Sequence, residues 1–114
     1  MEELLCRTIT KLVLPAVRAS VSEKLHKEHG YTQEKIADKI GIVQVGVGKY
    51  LNGKYSQEVR DIKEYIDENE LSEPIIKGIL GGCSLKETER QIDILCNDSN
   101  LIDFAMRYIV ALNR

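Results

Sequence analysis

The chain has 114 residues, 43% apolar and 30% charged, the size and balance of one compact unit with a short appendage, which excludes a disordered, core-poor segment. No apolar run approaches the roughly 20 residues a bilayer span needs, and the acidic opening Met1-Glu2-Glu3 is not that of a secretory signal, so a cytoplasmic protein is expected. The net charge of −2 argues against a nucleic-acid partner until it is divided: residues 1–58 carry nine Lys and Arg against seven Asp and Glu, and residues 59–114 seven against eleven, a basic head before an acidic tail.

With no tryptophan and one phenylalanine, the core must be built from Leu, Ile, Val and Ala. Apolar residues recur at three and four, and no alternation is long enough for a strand, so an all-α fold is expected. A first helix over about Glu2 to Val13 buries Leu5, Ile9 and Leu12. Pro15 suits the first turn of a second helix to about His29, on Val17, Val21 and Leu25, which Gly30 ends. Thr32 caps a short helix through Ile40, and Gly41 stops it. A helix over about Val43 to Leu51 follows at once and closes on Asn52-Gly53. Next comes an amphipathic helix from about Gln57 to Asn69 using Val59, Ile62 and Ile66.

Ser72-Glu73-Pro74 opens another helix, Gly81-Gly82 breaks it, and Ser84-x-x-Glu87 is a capping box for a helix to about Cys96. After a turn at Asn97-Asp98-Ser99-Asn100, the helix Leu101 to Leu112 is apolar on most of its circumference. Such a helix is either sandwiched within the tail or shared between two chains.

Counting from Gln33, eighteen residues satisfy the steric demands of a helix-turn-helix unit. Ile36 and Ile40 face the core, Ala37 is small where the helices cross, and Gly41 makes the turn. Ile42 plugs the corner, while Val47 and Tyr50 point inward. The second helix then presents Gln44, Val45, Gly48, Lys49 and Asn52 outward. Gln44 suits the paired edge of adenine, Val45 a thymine methyl, and Lys49 either guanine or phosphate. Lys54 and Tyr55 follow where a DNA backbone would pass, and Thr32 and Gln33 suit the opposite strand's phosphates. A helical hairpin with no such role is the alternative.

Glu34-Lys35-Ile36-Ala37, Gly41-Ile42 and Val47-Gly48-Lys49-Tyr50-Leu51-Asn52-Gly53-Lys54 resemble the lambda-repressor-like, Cro-type family of transcriptional regulators over roughly residues 15–70. Leu14-Pro15-Ala16-Val17-Arg18-Ala19, with Gln44 and Tyr50-Leu51-Asn52-Gly53-Lys54, is similar to a group of small archaeal predicted regulators of that type. The resemblance implies a helix-turn-helix bundle bound to DNA as a dimer on a two-fold symmetric operator. Two departures stand out. Val43 occupies the cap position where the family has Ser or Thr, and Gly46 and Gly48 each cost about 1 kcal/mol relative to alanine in a helix.

The expected organisation is a DNA-binding domain over residues 1–70 and a helical dimerisation segment over 71–114. The DNA-binding set is Thr32, Gln33, Val43, Gln44, Val45, Gly48, Lys49, Asn52, Lys54 and Tyr55. Cys6, Cys83 and Cys96 are too scattered for a zinc or redox pair and read as reduced core thiols. His26 and His29 read as surface residues, and Asp61, Glu64, Asp67, Glu68 and Glu70 as a solvated acidic face. No cofactor, metal or catalytic group is expected. A double-stranded DNA partner and a homodimer are. The competing class is a helical adaptor that binds a protein through the same hairpin.

Overall fold

A computed structural model describes the backbone of residues 2–112 and the side chains of 3–108. All its regular elements are helical: α1 Glu2–Thr8, α2 Leu14–His29, α3 Gln33–Ile40, α4 Gln44–Leu51, α5 Gln57–Glu68, α6 Glu73–Leu80, α7 Leu85–Cys96 and α8 Ser99–Leu112. Among the described residues no helix is long and apolar enough to cross a membrane.

The first two helices are not separated. A π-helical turn, Ile9–Val13, joins α1 to α2, with the Leu14 N–H donating five residues back to the Ile9 carbonyl. The cause is Pro15, whose ring crowds the carbonyl four residues earlier and which has no N–H to give it; widening the helix by one residue just before it relieves both.

α2 is the central pillar. Val17, Val21 and Leu25 are fully buried as the periodicity predicts, but so are Ala16, Ala19, Ser20 and Ser22 on its other sides. Small residues there let α4, α5, α6 and α7 all pack directly against α2. One buried cluster runs from Val13 to Ala105, so the boundary expected at residue 70 falls inside a shared core.

α8 is sandwiched within its own chain as far as Tyr108. Leu101 and Ala105 are fully buried, Phe104 stacks on Tyr65 of α5 with ring centroids 4.4 Å apart, and the Tyr108 hydroxyl donates to Asp61 Oδ2 at 3.0 Å. On the opposite side, Met106 Sδ lies 3.3 Å from Thr8 Oγ1. The helix begins at Ser99 because Asp98 Oδ2 accepts the Leu101 N–H at 3.0 Å, so Ser99 and Asn100 are helical rather than part of the turn. The side chains of Ile109, Val110 and Leu112, also read as part of its apolar surface, lie outside the described residues.

Two other expectations are corrected. The acidic face is only partly solvated: Glu64, Glu68 and Glu70 are exposed, but Asp61 accepts from Tyr108, and Asp67 from Ser20 and Lys63. Of the cysteines only Cys96 is a core thiol; Cys6 is exposed and Cys83 is half-buried with Sγ 3.1 Å from Thr88 Oγ1. Burial, helped by Asp93 and opposed by Arg18, pushes the Cys96 thiol up to about 11. Labelling of the native protein with a thiol reagent near pH 8 should therefore modify Cys6 about a hundredfold or more faster than Cys96. Comparable rates would show that the α7 packing opens readily.

The capping box at α7 is half made. Ser84 Oγ accepts the Glu87 N–H at 3.1 Å, but the Glu87 carboxylate turns to Arg90, at 2.7 and 2.9 Å, and to Gln91. Those hydrogen bonds, Arg90 first, hold its pKa down to about 2.

Candidate nucleic-acid interface

α3 and α4 are eight-residue helices joined by Gly41, Ile42 and Val43. Gly41 has φ +73°, a left-handed conformation that favours glycine, and it turns the chain while the Ala37 carbonyl accepts both the Gly41 and Ile42 N–H groups, at 2.9 and 3.3 Å. Ile36, Ala37 and Ile40 are buried on α3, Val47 is fully buried on α4, and Ile42 packs on the core between them.

Tyr50 departs from expectation. It is half-buried and outside the core cluster, and Leu51 closes α4 onto the core in its place. Both lie near the Val47 stripe, Leu51 about 40° to one side of it and Tyr50 about 60° to the other, and the core covers the Leu51 side.

The outward surface of α4 is Gln44, Val45 and Lys49, all exposed. Val43 immediately precedes the helix as its N-cap, extended at φ −73°, ψ 150° and with no side-chain cap. It is thus outside the helix that was expected to begin with it. It is 74% exposed and Val45 68%, so two valines stand in solvent beside the glutamine and lysine.

Gln33 reaches across from α3. Its Nε2 donates to the Gln44 carbonyl at 2.8 Å, and a Cβ on Gly48 would lie 3.0 Å from that nitrogen. Gly48 is therefore half-buried beneath the Gln33 amide, which a side chain at that position would push aside by a few tenths of an ångström. Gly46 has no such role: a Cβ there meets Ile42 Cδ1 at an ordinary 3.5 Å. Gly46→Ala should stabilise the protein by about 1 kcal/mol, raising Tm by about 4 °C. A lower Tm in a thermal melt would contradict a fully helical first turn of α4.

The remaining expected residues lie at the two ends of this surface. Thr32 is the exposed N-cap of α3, its Oγ1 accepting the Lys35 N–H at 3.1 Å. Asn52 is exposed but spends its amide on the Gly48 carbonyl at 2.8 Å, ending α4. Lys54 N–H donates to the Lys49 carbonyl and Gly53 N–H to that of Tyr50, at 2.9 and 3.3 Å, which is a Schellman closure leaving the Lys54 side chain exposed. Tyr55 is half-buried, its ring covered by the Arg60 guanidinium 4.9 Å from the centroid.

The structure thus groups Gln33, Gln44 and Gly48. It assigns Thr32 and Asn52 to helix ends. Sequence reasoning passed over Arg60, whose Nη2 also donates to the Gly53 carbonyl at 3.0 Å, and Lys35, whose Nζ sits 4.1 Å from the Tyr31 ring centroid. Nothing local singled out Arg60: it is one of two cations, with Lys63, in an α5 that also carries Glu58, Asp61 and Glu64. His26 and His29 are exposed, with His26 Nδ1 2.9 Å from the Tyr31 carbonyl oxygen. Compared with family models, with curated proteins and with solved structures, the chain matches none.

Proposed function

We propose that the chain is a sequence-specific DNA-binding transcriptional regulator of the helix-turn-helix kind, lambda-repressor-like in its reading unit, with α4 in the major groove. The observation that carries this reading is the division of α4 into two faces. Val47 and Leu51 anchor it to the core, and Gln44, Val45 and Lys49 stand in solvent on a short helix narrow enough to enter a groove about 12 Å wide. Gln44 serves the adenine edge, Val45 a thymine methyl, and Lys49 guanine or phosphate. Thr32, Gln33, Lys54 and Arg60 flank the helix toward the two strands.

A cytoplasmic homodimer is part of the same proposal, placing two α4 helices about 34 Å apart on a two-fold symmetric site. Since α8 is occupied by its own chain through Tyr108, exposed apolar residues on α6 and α7, among them Leu80 and Ile94, are where pairing is expected.

One observation favours a second reading, a protein-binding adaptor: the exposed pair Val43 and Val45 is as suited to an apolar partner as to a thymine methyl. Salt separates the two. Duplexes enriched by the protein from a random pool should lose affinity log-linearly with salt, by about 0.9 log unit per decade for each phosphate neutralised. Failure to enrich any sequence, or an affinity indifferent to salt, would favour the adaptor.

A further inference from the structure

A cleft of about 460 Å³ opens between α2, α7 and the start of the α3–α4 connection. That volume lies within the range of small-molecule sites, about 300–1,000 Å³. Its apolar lining comes from three elements: half-buried Leu14 on α2, and the edges of Ile40 at the end of α3 and Ile92 on α7, which are 3% and 7% exposed. Its charged lining has both signs. Arg18 of α2 is half-buried and makes no hydrogen bond or ion pair within the described residues. Lys86, Glu89 and Asp93 lie along one face of α7 at spacings of three and four; all three are exposed, and their charged groups are unpaired among the described residues. The fourth charge on that face, Arg90, is already tied to Glu87.

Two free cations and two free carboxylates therefore line one space without closing on each other. A simple anion drawn to Arg18 and Lys86 would meet Glu89 and Asp93, and a simple cation would meet the reverse; a ligand with one charge of each sign satisfies both pairs. We propose that this cleft binds a small zwitterion with an aliphatic body, of the class of free aliphatic amino acids. Its carboxylate pairs with Arg18 and Lys86, its ammonium with Glu89 and Asp93, and its side chain lies on Leu14, Ile40 and Ile92. Arg18 supplies the planar fork suited to a carboxylate.

The test is calorimetric titration of the full chain with L-leucine, L-isoleucine and L-valine, and with 4-methylpentanoate and 3-methylbutan-1-amine, which carry one charge each. At least one amino acid should bind saturably with Kd about 1 mM or tighter, and each single-charge analogue about tenfold or more weakly than that. Arg18→Gln and Lys86→Gln, each checked for an unchanged circular dichroism spectrum, should weaken that amino acid about tenfold. Lys86 is exposed, so its replacement keeps the test open if the Arg18 variant fails to fold. No saturable heat with any of the three at about 10 mM, equal binding of a single-charge analogue, or unchanged affinity in the folded variants would overturn the proposal. The titration contains no DNA, so its failure leaves the proposed function standing.

Discussion

Asp67→Ala should lower the unfolding free energy by about 3 kcal/mol, the low end of the range for breaking a buried pair because Asp67 is itself 28% exposed. The Lys63 side chain is only 9% exposed, and its Nζ donates to Asp67 Oδ2 at 2.8 Å and to Glu23 Oε1 at 3.1 Å. Asp67 Oδ1 also accepts the Ser20 hydroxyl. With that proton committed, the Ser72 hydroxyl is the donor in its 2.8 Å bond to Ser20, and the chain of bonds ties α2, α5 and the start of α6 together. Removing the carboxylate leaves an under-compensated ammonium and redirects two buried hydroxyls.

Burial by itself pulls the Lys63 pKa down, but the hydrogen bonds and charges of Asp67 and Glu23 outweigh it and the net shift is upward. A raised folded-state pKa means the pairing contributes fully below the ordinary lysine range and is lost only as pH rises through the higher folded value. Urea unfolding near neutral pH should show the midpoint of Asp67→Ala falling with little change in slope. The apolar pair Lys63→Met with Asp67→Leu should lose less than Asp67→Ala alone, since it leaves no buried ammonium and Glu23 keeps Lys27 at 3.7 Å. A loss under about 1 kcal/mol for Asp67→Ala would mean the network is a surface arrangement.

Much of the scaffold was legible because its signals are local. Thr32 and Ser84 cap helices through their own hydroxyls, Gly41 and Gly53 take left-handed turns, and α5 buries Val59, Ile62 and Ile66 on one stripe. What was not legible depends on neighbours far along the chain. Ala16, Ala19, Ser20 and Ser22 carry no apolar periodicity, so nothing local marks α2 as a helix packed on several sides. Asp61 and Asp67 look like their acidic neighbours until Tyr108 and Ser20, each 47 residues away, arrive beside them. The apolar circumference of α8 was readable, but which helices would cover it was not.

The candidate surface divides the same way. That Val47 is buried and Gln44 and Lys49 exposed follows from a 3.6-residue period around one anchor. Local pattern could not foresee that Gln33 crosses onto the Gln44 carbonyl over Gly48, or that Arg60 covers Tyr55, because both contacts need the path of a connecting loop.

The second large effect is on binding. Gln44→Ala with Lys49→Ala should lower affinity for the enriched duplex about a hundredfold or more, to the level of unrelated DNA, since a bidentate base contact contributes about 1–3 kcal/mol of discrimination. Both side chains are exposed and away from the core, so the thermal melt should stay within a few degrees of the wild type, about 0.5 kcal/mol. The most direct measurement is a gel shift of that duplex, at fixed salt, with the wild type and this double variant side by side. Tight, competitor-resistant retention by the first and none by the second is the predicted result; equal retention by both would contradict α4 as the element that reads DNA.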